Sequence, residues 1–208
     1  MTRSPSNLLR DTWLDTLLPE VAFDSWTNVT ATRAAETAGL SEAEQALAAP
    51  GGVADLVEHF FNRAEDAARN KIEAADLSDL RVHEKVAFGV RAWLDEMDDD
   101  KEAVRRAINW GALPWRASAP AQRTWSVADM VWTAAGDTSE DYNRYTKRGL
   151  LASALPSIVL HWLDEGDSEA IDAHIARRLK NAMQLGQAGS KVIGPLLRSF
   201  KPKPSETV

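Results

Sequence analysis

Apolar residues recur along this chain at three- and four-residue intervals, the spacing of one helix face, and nowhere in convincing strand-like alternation. Leu8, Leu9, Trp13, Leu17 and Leu18 define a first amphipathic helix that is predicted to stop near Pro19. Asp24, between Phe23 and Trp26, is the expected cap of a second helix over 25–38. Gly39-Leu40-Ser41 turns the chain, and Ser41 caps a short third helix reaching Ala49, closed by Pro50-Gly51-Gly52. A long fourth helix puts Val53, Leu56, Val57, Phe60, Phe61, Ala64, Ala67, Ala68 and Ile72 on one face. A fifth, over 82–97, turns Val86, Val90, Trp93 and Leu94 inward. Asp98-Asp99-Asp100 opens the sixth, where carboxylates suit the positive end of a helix dipole. Pro114 and Pro120 are expected to bracket a loop. The seventh helix carries Trp125, Ala128, Val131, Trp132 and Ala135 and ends at Gly136. The eighth runs over 138–163, and the ninth starts near Asp167-Ser168 with Ile171, Ile175, Leu179 and Ala182.

The prediction is an all-α chain in three parts: a helix-turn-helix-like unit over 1–52, a bundle of about six helices over 53–182, and an amphipathic basic helix with a frayed tail over 183–208. The 208 residues, 44% of them hydrophobic, suffice for a substantial core and argue against disorder. No apolar run approaches the ~18–20 residues that span a bilayer, and "MTRSPSNLLRDTWLDTLLPE" lacks the apolar centre of a secretory signal. Without cysteine there are no disulfides, thiolate nucleophiles or Cys-ligated metals, which suits a reducing cytoplasm.

The net charge of −7 is unevenly spread. Residues 173–205 contain Arg177, Arg178, Lys180, Lys191, Arg198, Lys201 and Lys203 and no acid. In "AMQLGQAGSKVIGPLLRSFK", Leu185, Val192, Ile193, Leu196, Leu197 and Phe200 share one arc, with Lys180, Gln184, Gln187, Lys191, Arg198 and Lys201 opposite. A basic face backed by an apolar one fits a helix lying in an anionic interface. Lys191, Val192, Ile193, Leu196, Leu197, Arg198 and Phe200 are therefore the candidate membrane-binding set. Gly186, Gly189, Gly194 and Pro195 weaken this helix in water, so a membrane is expected to order it. An ordinary last helix docked on the bundle, or a dimer contact, is the other reading.

Three short helices with a turn, followed by a long fourth helix, resemble the layout of TetR-type regulators. Nucleic-acid binding does not follow. Residues 1–60 hold Arg3, Arg10 and Arg33 against nine acids, and the helix in the reading position carries Glu42 and Glu44 with no cation. DNA affinity rests on neutralising phosphates. Where TetR-type proteins tend to place aromatics near the end of this helix, this chain has Ala46 and Ala49.

Catalytic chemistry finds no constellation. Each of His59, His83, His161 and His174 has Leu or Ile three residues before it, so no Glu-x-x-His pair of a di-iron bundle exists. "HEKVA" at His83 has Ala87 where a zinc-protease motif needs a second His. No catalytic residue, metal site or cofactor is assigned, and each His is read as a surface or capped residue.

The stretch "GDTSEDYNRYTKRGLLASALPSIVLHWLDEGDS" (136–168) closely resembles the signature of the coenzyme Q (ubiquinone) biosynthesis lipid-binding family, the ninth coenzyme Q protein. Asp137, Thr138, Ser139, Asp141, Tyr142, Asn143, Tyr145, Thr146, Lys147 and Arg148 match it in place, as do "FDSWT", "PGGVADLVEHFFNRA" and "LRVHEKVAFGVRAWLDEM". The resemblance implies a TetR-like fold without DNA binding, whose bundle holds an isoprenoid quinone intermediate or a phospholipid. It implies action at the membrane surface, here the inner face of the cytoplasmic membrane, delivery to a di-iron hydroxylase, and a homodimer. It places the partner interface on Asp141, Tyr142, Asn143, Arg144 and Tyr145, and a phospholipid-contacting arginine on Arg148. Arg144 stands where the family has tryptophan, and Leu155 where it has an aromatic, followed by Pro156, so a bend is expected near Ala152.

From the residues alone, Tyr142 and Tyr145 share a face with Arg148 a turn beyond, suiting a glycerol-phosphate region. The alternative is that Arg148 pairs with an acid on the neighbouring helix. Trp93, Trp125, Trp132 and Trp162 have core spacing and either fill the core or line an apolar tunnel. Arg148, Tyr145, Trp132 and Trp93 are the lipid-binding candidates. The competing function is a TetR-type regulator sensing a hydrophobic ligand.

Overall fold

The computed structural model describes residues 4–116, 118–138 and 142–199, with backbone alone for 114, 142, 143 and 185–199. Among them are nine α-helices and no strand: α1 (Pro5–Asp24), α2 (Asn28–Thr37), α3 (Glu42–Ala48), α4 (Val53–Ala74), α5 (Val82–Asp95), α6 (Lys101–Gly111), α7 (Ser118–Ala134), α8 (Tyr142–Asp164) and α9 (Ser168–Ser199). Short 3-10 turns precede α6 (Asp98–Asp100) and α7 (Pro114–Arg116). The all-α expectation holds.

One hydrophobic core runs from head to bundle. Trp13, Leu14, Leu17, Leu18 and Val21 bury one face of α1 against α2, α3, α4 and α6. Burying apolar area at roughly 25 cal/mol per Å² drives this packing. Three indoles reach between elements with their N–H groups satisfied. Trp13 donates to the Ala31 carbonyl at 2.8 Å, Trp26 to the Ala103 carbonyl at 2.9 Å, and Trp162 to Asp98 at 3.0 Å. Trp26 thereby ties the three-helix head to α6. In the bundle, α4 packs on α5 and α7, α8 lies between α7 and α9, and α9 also meets α5. Gly89 lets α5 approach α7 closely, since a Cβ there would stand 2.9 Å from Val131.

Several boundaries depart from the sequence pattern for local reasons. α1 does not stop at Pro19 but runs through it to Asp24. Pro19 is exposed, so the Asp15 carbonyl it leaves without a donor faces water, while Leu17, Leu18 and Val21 hold the helix on the core. The cap of α2 is Thr27, whose hydroxyl accepts from the Thr30 amide at 3.0 Å. Asp24 instead closes α1 and binds Arg33. Pro120 lies inside α7, in the first turn, where a missing N–H leaves no intrahelical bond unmade. Trp125 is 40% exposed rather than core. α8 opens at Tyr142 and continues through an exposed Pro156 to Asp164. α9 is one element across the expected boundary at 182/183. The side chains of Lys191, Val192, Ile193, Leu196, Leu197 and Arg198 lie outside the described residues, as does Phe200 altogether. Among the described residues, no helix is long and apolar enough to cross a membrane.

Candidate functional site

The α7–α8 hairpin assembles most of the residues that the sequence singles out. Gly136, at φ +86°, makes the turn after α7, and the Asp137 amide returns to the Trp132 carbonyl at 3.0 Å. Trp125, Asp129, Trp132 and Thr133 form one stripe of α7, while Arg144, Tyr145 and Arg148 form one stripe of α8. The hairpin brings these stripes together.

Arg148 occupies the centre and is only 2% exposed. Its guanidinium donates to Asp129, to Asp137 at 3.0 Å and to the Thr133 hydroxyl at 3.3 Å. Burying a guanidinium requires this degree of pairing. Of the two open readings of Arg148, the geometry is that of the ion pair with a neighbouring acid. Burial works against charge on Asp129, but hydrogen bonds from Arg148 and then Arg144 hold its carboxyl below the usual range. Arg144 reaches Asp129 from the solvent side at 3.2 Å. Lys147 binds Asp137 at 2.7 Å and sits over the Trp132 ring at 5.3 Å, while the Trp132 N–H donates to the Lys147 carbonyl at 3.2 Å.

Above this network the rings of Trp125 and Tyr145 stack with centroids 6.4 Å apart. Tyr145 is 63% exposed. The result is an exposed aromatic pair beside Arg144, held on a buried ionic latch. Trp93 is elsewhere: it is buried in α5, one turn past Gly89, and its indole N–H has no hydrogen-bond partner among the described residues. No described hydrogen bond or ring contact joins Trp93 to the Arg148 group. Asp141 lies outside the described residues, as do the side chains of Tyr142 and Asn143, whose backbone opens α8.

Two further groupings escaped the sequence reading. A cleft of about 390 Å³ between α1, α4 and α7 is lined by Arg10, Asp11, His59, Glu65, Arg69 and Ser126 among others. In it His59 meets Asp11 at 2.9 Å, and Glu65 accepts from the Ser126 hydroxyl at 2.7 Å. Glu65 is 5% exposed, and burial pushes its carboxyl up. At the α8–α9 contact, His161 and His174 stack 4.0 Å apart. Because Arg177 only donates, His174 Nδ1 is the acceptor of their 2.8 Å contact. Burial, then His161, Arg177 and Arg178, depress the His174 imidazole. His59, His161 and His174 are thus partly buried and paired or stacked rather than plain surface residues. Sequence spacing held no sign of either grouping, since each joins side chains of different helices: Glu65 and Ser126 on α4 and α7, His161 and His174 on the consecutive α8 and α9. Among the described residues, no three His, Cys, Asp or Glu side chains converge as a metal site.

The head shows why the acids of α3 are there. Ser41 and Glu44 form a reciprocal capping box, the Ser41 amide donating to the Glu44 carboxylate at 2.8 Å. Glu44 serves the helix end, and its capping bonds hold its carboxyl below the usual range.

This architecture, a three-helix head on a helical bundle, is that of the TetR class. It superposes with a TM-score of 0.68 on the TetR transcriptional regulator from Nitrosomonas europaea ATCC 19718, at 20% identity over 85% of this chain and 98% of that one. Residues 117–186, spanning α7, α8 and half of α9, match the COQ9 family model. The chain is 23% identical over 188 residues to the human ubiquinone biosynthesis protein COQ9, mitochondrial, and 24% identical to that of Bos taurus. These alignments cover 86% of this chain and 59% of each relative, so the chain spans somewhat under two thirds of their length. The family resemblance read from the sequence therefore stands, and residues 117–186 are the part of the chain that matches the COQ9 model.

Proposed function

We propose that this protein is a non-enzymatic accessory of ubiquinone biosynthesis that holds a prenylated quinone intermediate or a phospholipid at the membrane surface and presents it to a hydroxylase. The observation that carries this reading is the coincidence of the COQ9 match over 117–186 with the α7–α8 hairpin and its exposed aromatic pair. Trp125 and Tyr145 give a partner a flat apolar surface, and Arg144 gives it a cation at the edge. Aromatic and arginine side chains are the usual anchors of protein interfaces. Arg148 is a positioning residue: it fixes Asp129, and Asp129 holds Arg144 in place. The basic, apolar arc over 191–200 supplies membrane affinity on the inner face of the cytoplasmic membrane, and two copies associate as a homodimer.

Mass spectrometry of lipids carried through purification tests the reading. Isoprenoid quinones or phospholipids are expected at near-stoichiometric levels. A lipid-free protein that also fails to take up a polyprenyl quinone from vesicles would falsify it. The competing reading, a transcriptional regulator, is favoured only by the shared fold, which is compatible with many functions.

A further inference from the structure

We propose that the corner joining α6 to α7 is a second membrane contact, in which Trp115 enters the interface of an anionic bilayer. This deepens the lipid-surface reading above and rests on it. Trp115 is 75% exposed, and Leu113 two residues earlier and Ile108 in the last turn of α6 are partly exposed as well. The corner is built rather than slack. The Arg116 amide donates to the Leu113 carbonyl at 2.8 Å, closing the 3-10 turn. The Arg116 guanidinium lies over the Trp110 ring at 3.8 Å. Gly111 admits Pro120 so closely that a Cβ at 111 would stand 3.0 Å from it. One arginine is thus used to cover one tryptophan, while the next tryptophan is left facing water.

Charge selects the occupant. Residues 103–128 contain Arg105, Arg106, Arg116 and Arg123 and no acid, within a chain of net charge −7. Glu102 and Asp164 engage Arg105, Glu102 engages Arg106, and Arg123, over Phe61, interacts with Glu65 and Glu58 of α4, so Arg116 is the cation of the corner itself. Along α6, Glu102 lies about 14 Å from Gly111, and along α7, Asp129 lies about 16 Å from Ser118. Both distances exceed the ~8–10 Å screening length of physiological salt. An anionic surface therefore approaches this corner without meeting a carboxylate of α6 or α7. Tryptophan flanked by arginine is the side-chain chemistry of the bilayer interface.

Because the chain has no cysteine, Ala112→Cys places a single environment-sensitive fluorophore on the exposed end of α6 without touching Trp115. Glu36→Cys on the head is the control. With phosphatidylcholine vesicles containing phosphatidylglycerol, the label at 112 is expected to shift to the blue and the label at 36 to stay. In the unlabelled full chain, Trp115→Ser is expected to weaken sedimentation with these vesicles about tenfold, and Trp115→Phe to retain most of it. If the chain sediments but the label at 112 does not respond, the corner is not a contact, while the lipid-surface reading survives. If the label responds to protein concentration without vesicles, the occupant is a second copy and the proposal fails. If the full chain does not sediment with these vesicles at all, the lipid-surface reading itself fails.

Discussion

Glu65 is a carboxyl in a position that the helical pattern assigns to neither face cleanly, next to the alanines of the α4 stripe. It is tolerated because Ser126 donates to it and because Arg123 and Arg69 partly offset its desolvation. Its folded pKa is raised, so the native state holds the proton to higher pH than the unfolded chain does. The stability this confers is full below the unfolded value near 4.5 and is lost as pH rises through the raised value. Glu65→Gln keeps an acceptor for Ser126 and removes the ionisation. It is expected to stabilise by about 1 kcal/mol at pH 7 and by little at pH 4, read from urea midpoints at the two pH values. Ser25 offers a second test. It holds φ 65° and ψ 173°, a region that suits glycine, between the end of α1 and the Thr27 cap of α2. Ser25→Gly is expected to raise stability by about 1 kcal/mol. A fall in thermal midpoint would show that the Ser25 side chain holds the turn.

At the scale of elements, the α7–α8 hairpin depends on one buried cation. Removing it takes a buried partner from both Asp129 and the nearly buried Asp137, leaving them to Arg144 and Lys147. Arg148→Ala is therefore expected to cost about 3 kcal/mol. Arg144→Ala, at a partly exposed pair, should cost less than about 1 kcal/mol. Comparable losses from both would mean that the latch is a surface network and not a core one. The same asymmetry separates structure from recognition. Arg144→Ala and Tyr145→Ala are expected to weaken hydroxylase capture from solution while leaving the denaturation midpoint nearly unchanged. Continuity of α8 through Pro156 follows from its inward face: Leu151, Ala154, Leu155, Ile158 and Trp162 are buried on both sides of the proline. That packing outweighs one absent backbone hydrogen bond.

For the whole molecule, the shared TetR architecture poses the question of DNA. A polyanion approaching the head would meet Glu42 on α3 and the capping carboxylate of Glu44, with Arg33 committed to Glu20 and Asp24. No gel shift is expected with the upstream region of its own gene, even at low salt. Binding that weakens steeply as salt rises would restore the regulator reading. Residues 1–60 are rich in acids, whereas residues 103–128 and 173–205 contain none. On the proposed membrane reading, this asymmetry of charge turns the acid-rich head away from an anionic bilayer.

Sequence periodicity by itself determined the all-α class, the order of the helices, and the inward stripes of α4 and α5, because apolar spacing at 3.6 residues is a local property of the chain. The motif over 136–168 also marked the hairpin, since its residues are close along the chain. Tertiary structure alone decided which polar groups share a cavity. The Glu65–Ser126 and His161–His174 pairings bridge separate helices, and the fate of Arg148 depended on where Asp129 lay in space. It also decided that helices outlast Pro19 and Pro156. A proline's local cost is legible in one residue, whereas the burial that outweighs it belongs to the packed neighbours.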